Sequence, residues 1–278
     1  MKIIRSLLAV LIVYSFAASI SAAYAYSKAD CIKRNLIRLE AEDQYKDWKP
    51  SYQVLSRNEA IALPTFNQKV SPHFSTFALI PADDCEFKAI FNHREPTQSD
   101  MTAIAQVRGG FSAFTSESDK VSRSSEGLTQ FIENSQSTYL IFVGHNENGL
   151  VYFPDGSISS IPEIADACGA RGKRPIFLSC NSDQYIHGRQ GIGVDSALTY
   201  KDAFDTLVDL RLFFDKLSST PGLSYSDLAT SVDEANRKNK ELSKVAVDVV
   251  VKGGKVIALV IGSNLIGSVS TQQPSPAP

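Results

Sequence analysis

The sequence predicts an α/β fold, a three-layer αβα sandwich with helices on both faces of a mostly parallel central sheet. Two segments, TYLIFVG at 138–144 and RPIFLS at 174–179, contain short apolar runs, at 139–144 and 176–179, that are bounded by Gly or Pro. Such runs are typical of strands buried on both faces of a parallel sheet. Helical patterns alternate with the strand candidates, and this alternation favours parallel strands with helices packed against them.

The first half of the chain predicts two helices and three strands. Residues 29–45 have helical spacing, with three large apolar side chains on one side. A strand at 74–80 is closed by Pro-Ala-Asp-Asp, and the apolar stretch at 101–114 predicts a second strand near its end. GLTQFIEN at 127–134 is a short amphipathic helix that leads into the strand at 139–144.

The middle of the chain predicts a strand, a turn, a helix and another strand. The strand at 149–153 is followed by the turn sequence Pro-Asp-Gly-Ser. A helix then begins at the capping residue Ser160, with Pro162 and Glu163 in its first turn, and ends near residue 169. The next strand occupies 175–179.

The last third predicts an active-site loop, two helices and a hairpin. The polar, Gly-rich stretch 181–197 suits a loop, and 200–217 has the strongest apolar helix face in the sequence. Residues 225–240 predict another helix. The apolar runs 245–251 and 255–261 flank Gly-Gly, which is a hairpin signal.

The first 25 residues have the pattern of a signal peptide. Lys2 and Arg5 precede an apolar core at 7–18, and Ala-Tyr-Ala then forms a cleavage site. An uncleaved anchor is the rival interpretation, but the apolar core is short for a membrane span. We therefore expect an exported protein, periplasmic or secreted. The predicted organisation is a signal peptide at 1–25, an N-terminal extension at 26–70, one main domain at 71–268 and a disordered tail at 269–278.

Composition excludes several classes of function. Removal of the signal peptide takes two basic residues away and moves the formal charge from −2 to −4, which gives no electrostatic footprint for nucleic acid. No later segment is long enough to span a bilayer, so no stable membrane span is expected after cleavage. No zinc-ligand pattern, calcium loop or phosphate-binding loop occurs, and we expect neither a metal nor another cofactor.

Four cysteines lie in the exported part of the chain, and sequence alone does not choose among their pairings. If Cys180 is a nucleophile, the simplest arrangement joins Cys31 to Cys85 and leaves Cys168 as a buried thiol. The alternative joins Cys168 to Cys180, which removes the nucleophile.

Each of the two apolar strands is followed by a side chain that can take part in catalysis as a nucleophile or a base. The first is followed by His145, and the second by Cys180. In an open α/β sheet, ligands bind beyond the carboxyl ends of the strands, so these two side chains can face each other across a cleft. A thiol nucleophile and its base need that arrangement.

These residues resemble a known family. A buried strand ending in His, a hairpin with an Asp-Gly turn, a helix, and a strand ending in Ser-Cys-Asn-Ser are similar to the caspase-hemoglobinase fold of clan CD cysteine peptidases. Within it, GHNENGLVYFPDGSISSIPEI at 144–164 and FLSCNS at 177–182 most resemble CHAT-like and bacterial caspase-like domains. The likeness covers about residues 126–182. Asn146 stands where that family usually has Gly after the His.

The resemblance implies a cysteine endopeptidase that acts on a protein or peptide substrate. Cys180 would attack the scissile carbonyl to form a thioester, and His145 would act as general acid and base. The backbone N–H groups of Asn146 and Cys180 would bind the oxyanion. Asp183 or Asp195 could pair with a basic P1 side chain, although a solvated loop acid is the plainer interpretation.

A second hypothesis is an inactive pseudopeptidase that serves as a binding or interaction protein on the same fold. Asn146 and the alternative pairing of Cys180 in a disulfide motivate it. A third class, an α/β hydrolase with a serine nucleophile, has weak support because the chain lacks a Gly-x-Ser-x-Gly elbow.

Overall fold

The computed structural model describes residues 28–49, 73–186, 188–217 and 222–252, with side chains in the last helix described as far as residue 239. The described residues belong to two compact units, which divide between Asp195 and Ser196. Among them, no helix combines the length and the apolar character needed to cross a membrane. The predicted signal peptide and tail, and the part of the N-terminal extension beyond residue 49, lie outside the described residues.

A four-stranded parallel sheet forms the centre of the first unit. Its strands are β1 (Phe74–Ala78), β2 (Tyr139–Val143), β6 (Arg174–Leu178) and β7 (Ile192–Gly193), in the order β1-β2-β6-β7. Every residue of β2 is buried, as expected for a strand covered on both faces. The prediction of an α/β fold with a mostly parallel central sheet is confirmed.

Helices surround this sheet. They are α1 (Lys28–Gln44), α2 (Asp84–Ile90), α3 (Gln98–Phe111), α4 (Ser125–Asn134) and α5 (Ile161–Gly169), with short 3₁₀ turns at Ser118–Lys120 and Ser182–Tyr185. One face of the sheet contributes a group of aromatic side chains to the core. Phe142 stacks on Phe177 with ring centroids 5.3 Å apart, and Phe131 of α4 contacts both Phe142 and Phe77.

A small antiparallel sheet follows β2. It consists of β3 (Asn146–Glu147), β4 (Leu150–Tyr152) and β5 (Ile158–Ser160). Asn148 (φ 52°) and Gly149 (φ 81°) make the tight turn between β3 and β4. A Cβ at Gly149 would lie 2.7 Å from the Tyr185 ring, so this position accepts only glycine. The helix that follows β5 begins at the predicted cap, where Ser160 and Glu163 form a reciprocal capping box.

Within the first unit, the helix α1 packs through its polar side. Arg38 is 2% exposed, donates to the carbonyl of Ala89 and lies 4.3 Å above the ring of Tyr152. Arg34 contacts the buried carboxylate of Glu86, which also pairs with Arg123. The predicted apolar stripe of this helix faces outward, with exposed fractions between 53% and 60%: Ile32, Leu36 and Leu39. Spacing therefore predicts the helix, but the contacts of Arg34 and Arg38 select the packed face.

Two predicted strands are wrong. Residues near the end of 101–114 belong to α3, because Thr97 and Asp100 form a capping box and Ile104, Val107 and Phe111 supply one buried helical face. The predicted strand at 245–251 lies within a helix that continues to Lys252. The second half of that predicted hairpin lies outside the described residues.

The second unit contains the two helices predicted at 200–217 and 225–240, the second of which extends further than predicted. These are α6 (Tyr200–Lys216) and α7 (Tyr225–Lys252). Thr199 and Asp202 cap α6 reciprocally, and Lys238 of α7 pairs with Asp209 of α6 at 3.2 Å.

Candidate active site

His145 and Cys180 follow neighbouring parallel strands at the same level. In the β2–β6 pair, Val143 lies opposite Leu178. His145 and Cys180 are each two residues further along, so they share one edge of the sheet. Neighbouring strands lie about 4.8 Å apart, so the backbones at these two positions are near each other. The register therefore brings the two predicted catalytic residues to adjacent positions on that edge.

The side-chain amide of Asn146 joins the two strand ends. Its Nδ2 donates to the Oγ of Ser179 at 2.6 Å and to the carbonyl of Cys180 at 2.7 Å, and its Oδ1 accepts from the N–H of Gly149 at 3.2 Å. Asn146 is only 6% exposed. Because every polar atom of this amide has a partner, Asn146 fixes the His-bearing loop relative to the Cys-bearing turn.

The turn after Cys180 is rigidly built. Asn181 adopts the left-handed conformation (φ 48°, ψ 34°) and starts the 3₁₀ turn. The hydroxyl of Ser182 donates to the carbonyl of Phe177 at 2.9 Å and accepts from the N–H of Val194 at 3.0 Å. Cys180 itself is partly exposed. The fold therefore presents this thiol at the end of β6 on a well-supported turn.

His145 is packed against an aromatic ring. Its imidazole stacks on Phe91, with ring centroids 4.5 Å apart and planes 25° apart. Burial lowers the pKa of His145 to about 4; Glu147 raises this pKa and Arg94 lowers it by smaller amounts. Within the part of the chain that the structure describes, the imidazole makes no hydrogen bond. At neutral pH, His145 is therefore an uncharged imidazole that can accept a proton.

The two acidic residues predicted for the substrate pocket lie close together on exposed loops. Asp183 is three residues beyond Cys180, and Asp195 follows β7. The N–H of Asp183 donates to the carbonyl of Val194 at 3.3 Å, which links the two loops. Partial burial raises the pKa of Asp183, and repulsion from Asp195 adds to this effect.

The cysteines adopt the first of the two predicted arrangements. Cys31 of α1 and Cys85 of α2 form a disulfide with Cα atoms 6.0 Å apart. Cys168 and Cys180 are both outside disulfides, so the alternative pairing is absent. Cys168 is completely buried, and burial raises its pKa to about 12. Cys180 is thus the thiol that can react.

Several residues around His145 were not predicted from the sequence. Asn146 was predicted only for its backbone N–H, whereas its side chain carries the contacts. Phe91, Asn92 and Arg94 come from the end of α2, more than 50 residues earlier in the chain. No local pattern links that segment to the His-bearing strand, so only the fold reveals the contact.

Comparison with known proteins gives no relative. No protein-family model, curated protein or solved structure matches this chain. Among the described residues, no group of three or more His, Cys, Asp or Glu side chains is placed to hold a metal ion. The chemistry of the site is therefore inferred from its own geometry.

Proposed function

We propose that this protein is an exported cysteine endopeptidase of the caspase-hemoglobinase type, with Cys180 as nucleophile and His145 as general acid and base. The observation that carries the proposal is the paired register of β2 and β6, which puts both residues at one edge of a parallel sheet. The buried cysteine elsewhere in the unit is inert, so Cys180 is the one accessible thiol among the described residues.

The proposed reaction begins with proton transfer. His145 is neutral above about pH 4, so it can take the thiol proton as the Cys180 sulfur attacks the scissile carbonyl. The C–N bond then breaks, and His145 returns that proton to the leaving amine. In the second half, His145 takes a proton from water, whose oxygen attacks the thioester. The C–S bond breaks, and the sulfur regains its proton.

The tetrahedral intermediates need donors for their oxyanion. The backbone N–H groups of Asn146 and Cys180 are the proposed donors, and one such donor is commonly worth a hundredfold or more in rate. The amide side chain of Asn146 supports this role, because it anchors the backbone of both donor residues through one buried network.

The acidic pair beyond Cys180 suggests the substrate. Burial raises the pKa of Asp183, and repulsion from Asp195 adds to this effect. A Lys or Arg side chain at P1 would bring one positive charge to this acidic pair and relieve its repulsion, so a basic P1 residue is the proposed preference. The partner is then a protein or peptide with an exposed basic residue.

A pseudopeptidase that binds proteins is the second candidate. It is favoured by Asn146, which replaces the Gly of the resembled family, and by the stacked His145, whose imidazole makes no hydrogen bond in the described part of the chain. Reactivity of the thiol and hydrolysis of peptides distinguish the two candidates.

The test is hydrolysis of a peptide library by the purified protein, combined with iodoacetamide labelling followed by mass spectrometry. We expect cleavage after basic residues and labelling at Cys180. Cys180→Ala should abolish both, while the matched variant Cys168→Ala should abolish neither. Hydrolysis that persists in Cys180→Ala would exclude the proposed nucleophile. A labelled but hydrolytically silent wild-type protein would favour the binding protein.

A further inference from the structure

We infer that Phe91 and Asn92, at the C-terminal end of α2, are positioning residues for His145. Phe91 sets the plane of the imidazole by stacking on it. Asn92 holds β3, the strand that follows His145. The inference rests on the proposed function in one respect only, which is that His145 takes part in the reaction.

Three aromatic rings form a continuous stack that ends at His145. Phe87 is completely buried and stacks on Phe91 at 4.3 Å with planes 18° apart. Phe91 in turn stacks on the imidazole at 4.5 Å, and it also packs against the main hydrophobic core. Aromatic rings at these separations attract each other by roughly 0.5–1.5 kcal/mol beyond simple burial. The imidazole therefore rests on a surface that is itself anchored in the core.

The backbone beyond Phe91 is strained in a way that serves the same contact. Asn92 (φ 47°) and His93 (φ 66°) are consecutive non-glycine residues in the left-handed region. Non-glycine residues rarely adopt this conformation because it costs free energy. The conformation persists where surrounding contacts compensate for that cost. The N–H of His93 donates to the carbonyl of Lys88 at 2.8 Å, which closes the end of the helix.

This turn brings the Asn92 amide to the strand that carries His145. Its Nδ2 donates to the Oε2 of Glu147 at 2.7 Å. Glu147 is two residues beyond His145 and is part of β3. The end of α2 thus contacts the His-bearing loop twice, once through the ring of His145 and once through Glu147.

The charges that face His145 come from two elements. Arg94 lies 4.9 Å above the rings of both Phe87 and Phe91 and pairs with Asp100 at 3.4 Å. Glu147 comes from β3. Their effects on the pKa of His145 are opposite, and burial is the larger cause of its lowered value. Loss of the Phe91 ring should therefore raise the pKa mainly by admitting water.

The test compares three variants by nuclear magnetic resonance titration of His145 and by peptide hydrolysis. Phe91→Leu keeps an apolar side chain but removes the aromatic face, Phe91→Tyr keeps that face, and Val121→Ala is a control that trims another partly buried residue on the same core. We expect Phe91→Leu to raise the pKa of His145 from about 4 toward its ordinary value of about 6.5. It should lower kcat roughly tenfold to a hundredfold with KM unchanged, since a misplaced catalytic group commonly has an effect of that size.

Phe91→Tyr should keep both the pKa of His145 and kcat at their wild-type values, and Val121→Ala should also change neither. Asn92→Gly, which suits the left-handed backbone but lacks the amide, should lower kcat less than Phe91→Leu does. An unchanged His145 titration in Phe91→Leu, or an equal shift in Val121→Ala, would overturn the inference. The titration needs no enzymatic activity, so it decides the positioning role even if the wild-type protein hydrolyses no peptide. An absence of peptide hydrolysis by the wild-type protein would count only against the proposed function.

Discussion

Replacement of Asn146 is the sharpest test of how the site is held together. Its buried amide makes three hydrogen bonds, to the hydroxyl of Ser179, the carbonyl of Cys180 and the N–H of Gly149. In Asn146→Ala, the Ser179 hydroxyl can turn to another acceptor, but the carbonyl and the N–H remain buried without this partner. A buried polar group left unsatisfied costs about 1–3 kcal/mol, so for these two groups we expect a loss of about 2–6 kcal/mol of stability.

The assay is equilibrium unfolding in urea, read as the shift in midpoint at constant slope. Ser179→Ala is the matched control, because it removes one partner of the same amide and leaves the bond to the Cys180 carbonyl intact. It should cost about 1 kcal/mol. If Asn146→Ala and Ser179→Ala unfold at the same urea concentration, the amide does not join the two strand ends as described.

The same position tests the functional interpretation. Asn146→Gly reproduces the residue that the resembled family has after its His, and it keeps the backbone N–H. The structure nevertheless predicts a loss of activity of about a hundredfold, because the backbone of Cys180 loses its anchor and catalysis is sensitive to displacements of about 1 Å. Activity equal to that of the wild type would mean that the N–H alone matters.

Three further predictions concern buried groups. Glu86→Gln should destabilise the protein by about 3 kcal/mol or more in urea unfolding, because the guanidiniums packed against this carboxylate lose their counterion. Between pH 6.5 and about 4, unfolded His145 binds a proton that the folded residue does not. The free energy of unfolding should therefore fall by up to about 3 kcal/mol as pH drops through this range, and His145→Gln should remove that part of the pH dependence. Cys168 should stay unlabelled by iodoacetamide at pH 8 until the chain unfolds, because a thiol with a pKa of about 12 is ionised in about one molecule in ten thousand.

The central part of the fold follows from local sequence. The strand β2 is a run of five apolar residues and β6 has four after Arg174, so burial on both faces is the arrangement that hides their side chains from water. The start of helix α5 is predicted by Ser160 and Glu163, which form a reciprocal capping box there. Placing the two candidate catalytic residues at one edge of the sheet needed only these strand ends and the rule that the carboxyl ends of parallel strands share an edge.

Other elements depend on contacts that local sequence does not contain. The segment at 101–114 contains an apolar stretch that also suits a strand, and only the capping box of α3 and its apolar spacing of three and four residues separate the two interpretations. The helix α1 has a clear apolar stripe, yet it packs by Arg34 and Arg38, because Glu86 on another helix neutralises one and the ring of Tyr152 covers the other. A single sequence does not show which distant carboxylate will accept a buried arginine.

The charge of His145 follows from its surroundings and connects the two proposals. A histidine with a pKa of about 4 is uncharged at neutral pH, so it offers no positive charge to a neighbouring group before substrate arrives. In the proposed reaction, proton transfer would then occur during attack, when the developing oxyanion and the imidazolium can stabilise each other. Such a mechanism tolerates little freedom in the imidazole, because the transfer distance must be right at one moment. The stack on Phe91 restrains the imidazole of His145, and the amide of Asn146 anchors the backbone of Cys180.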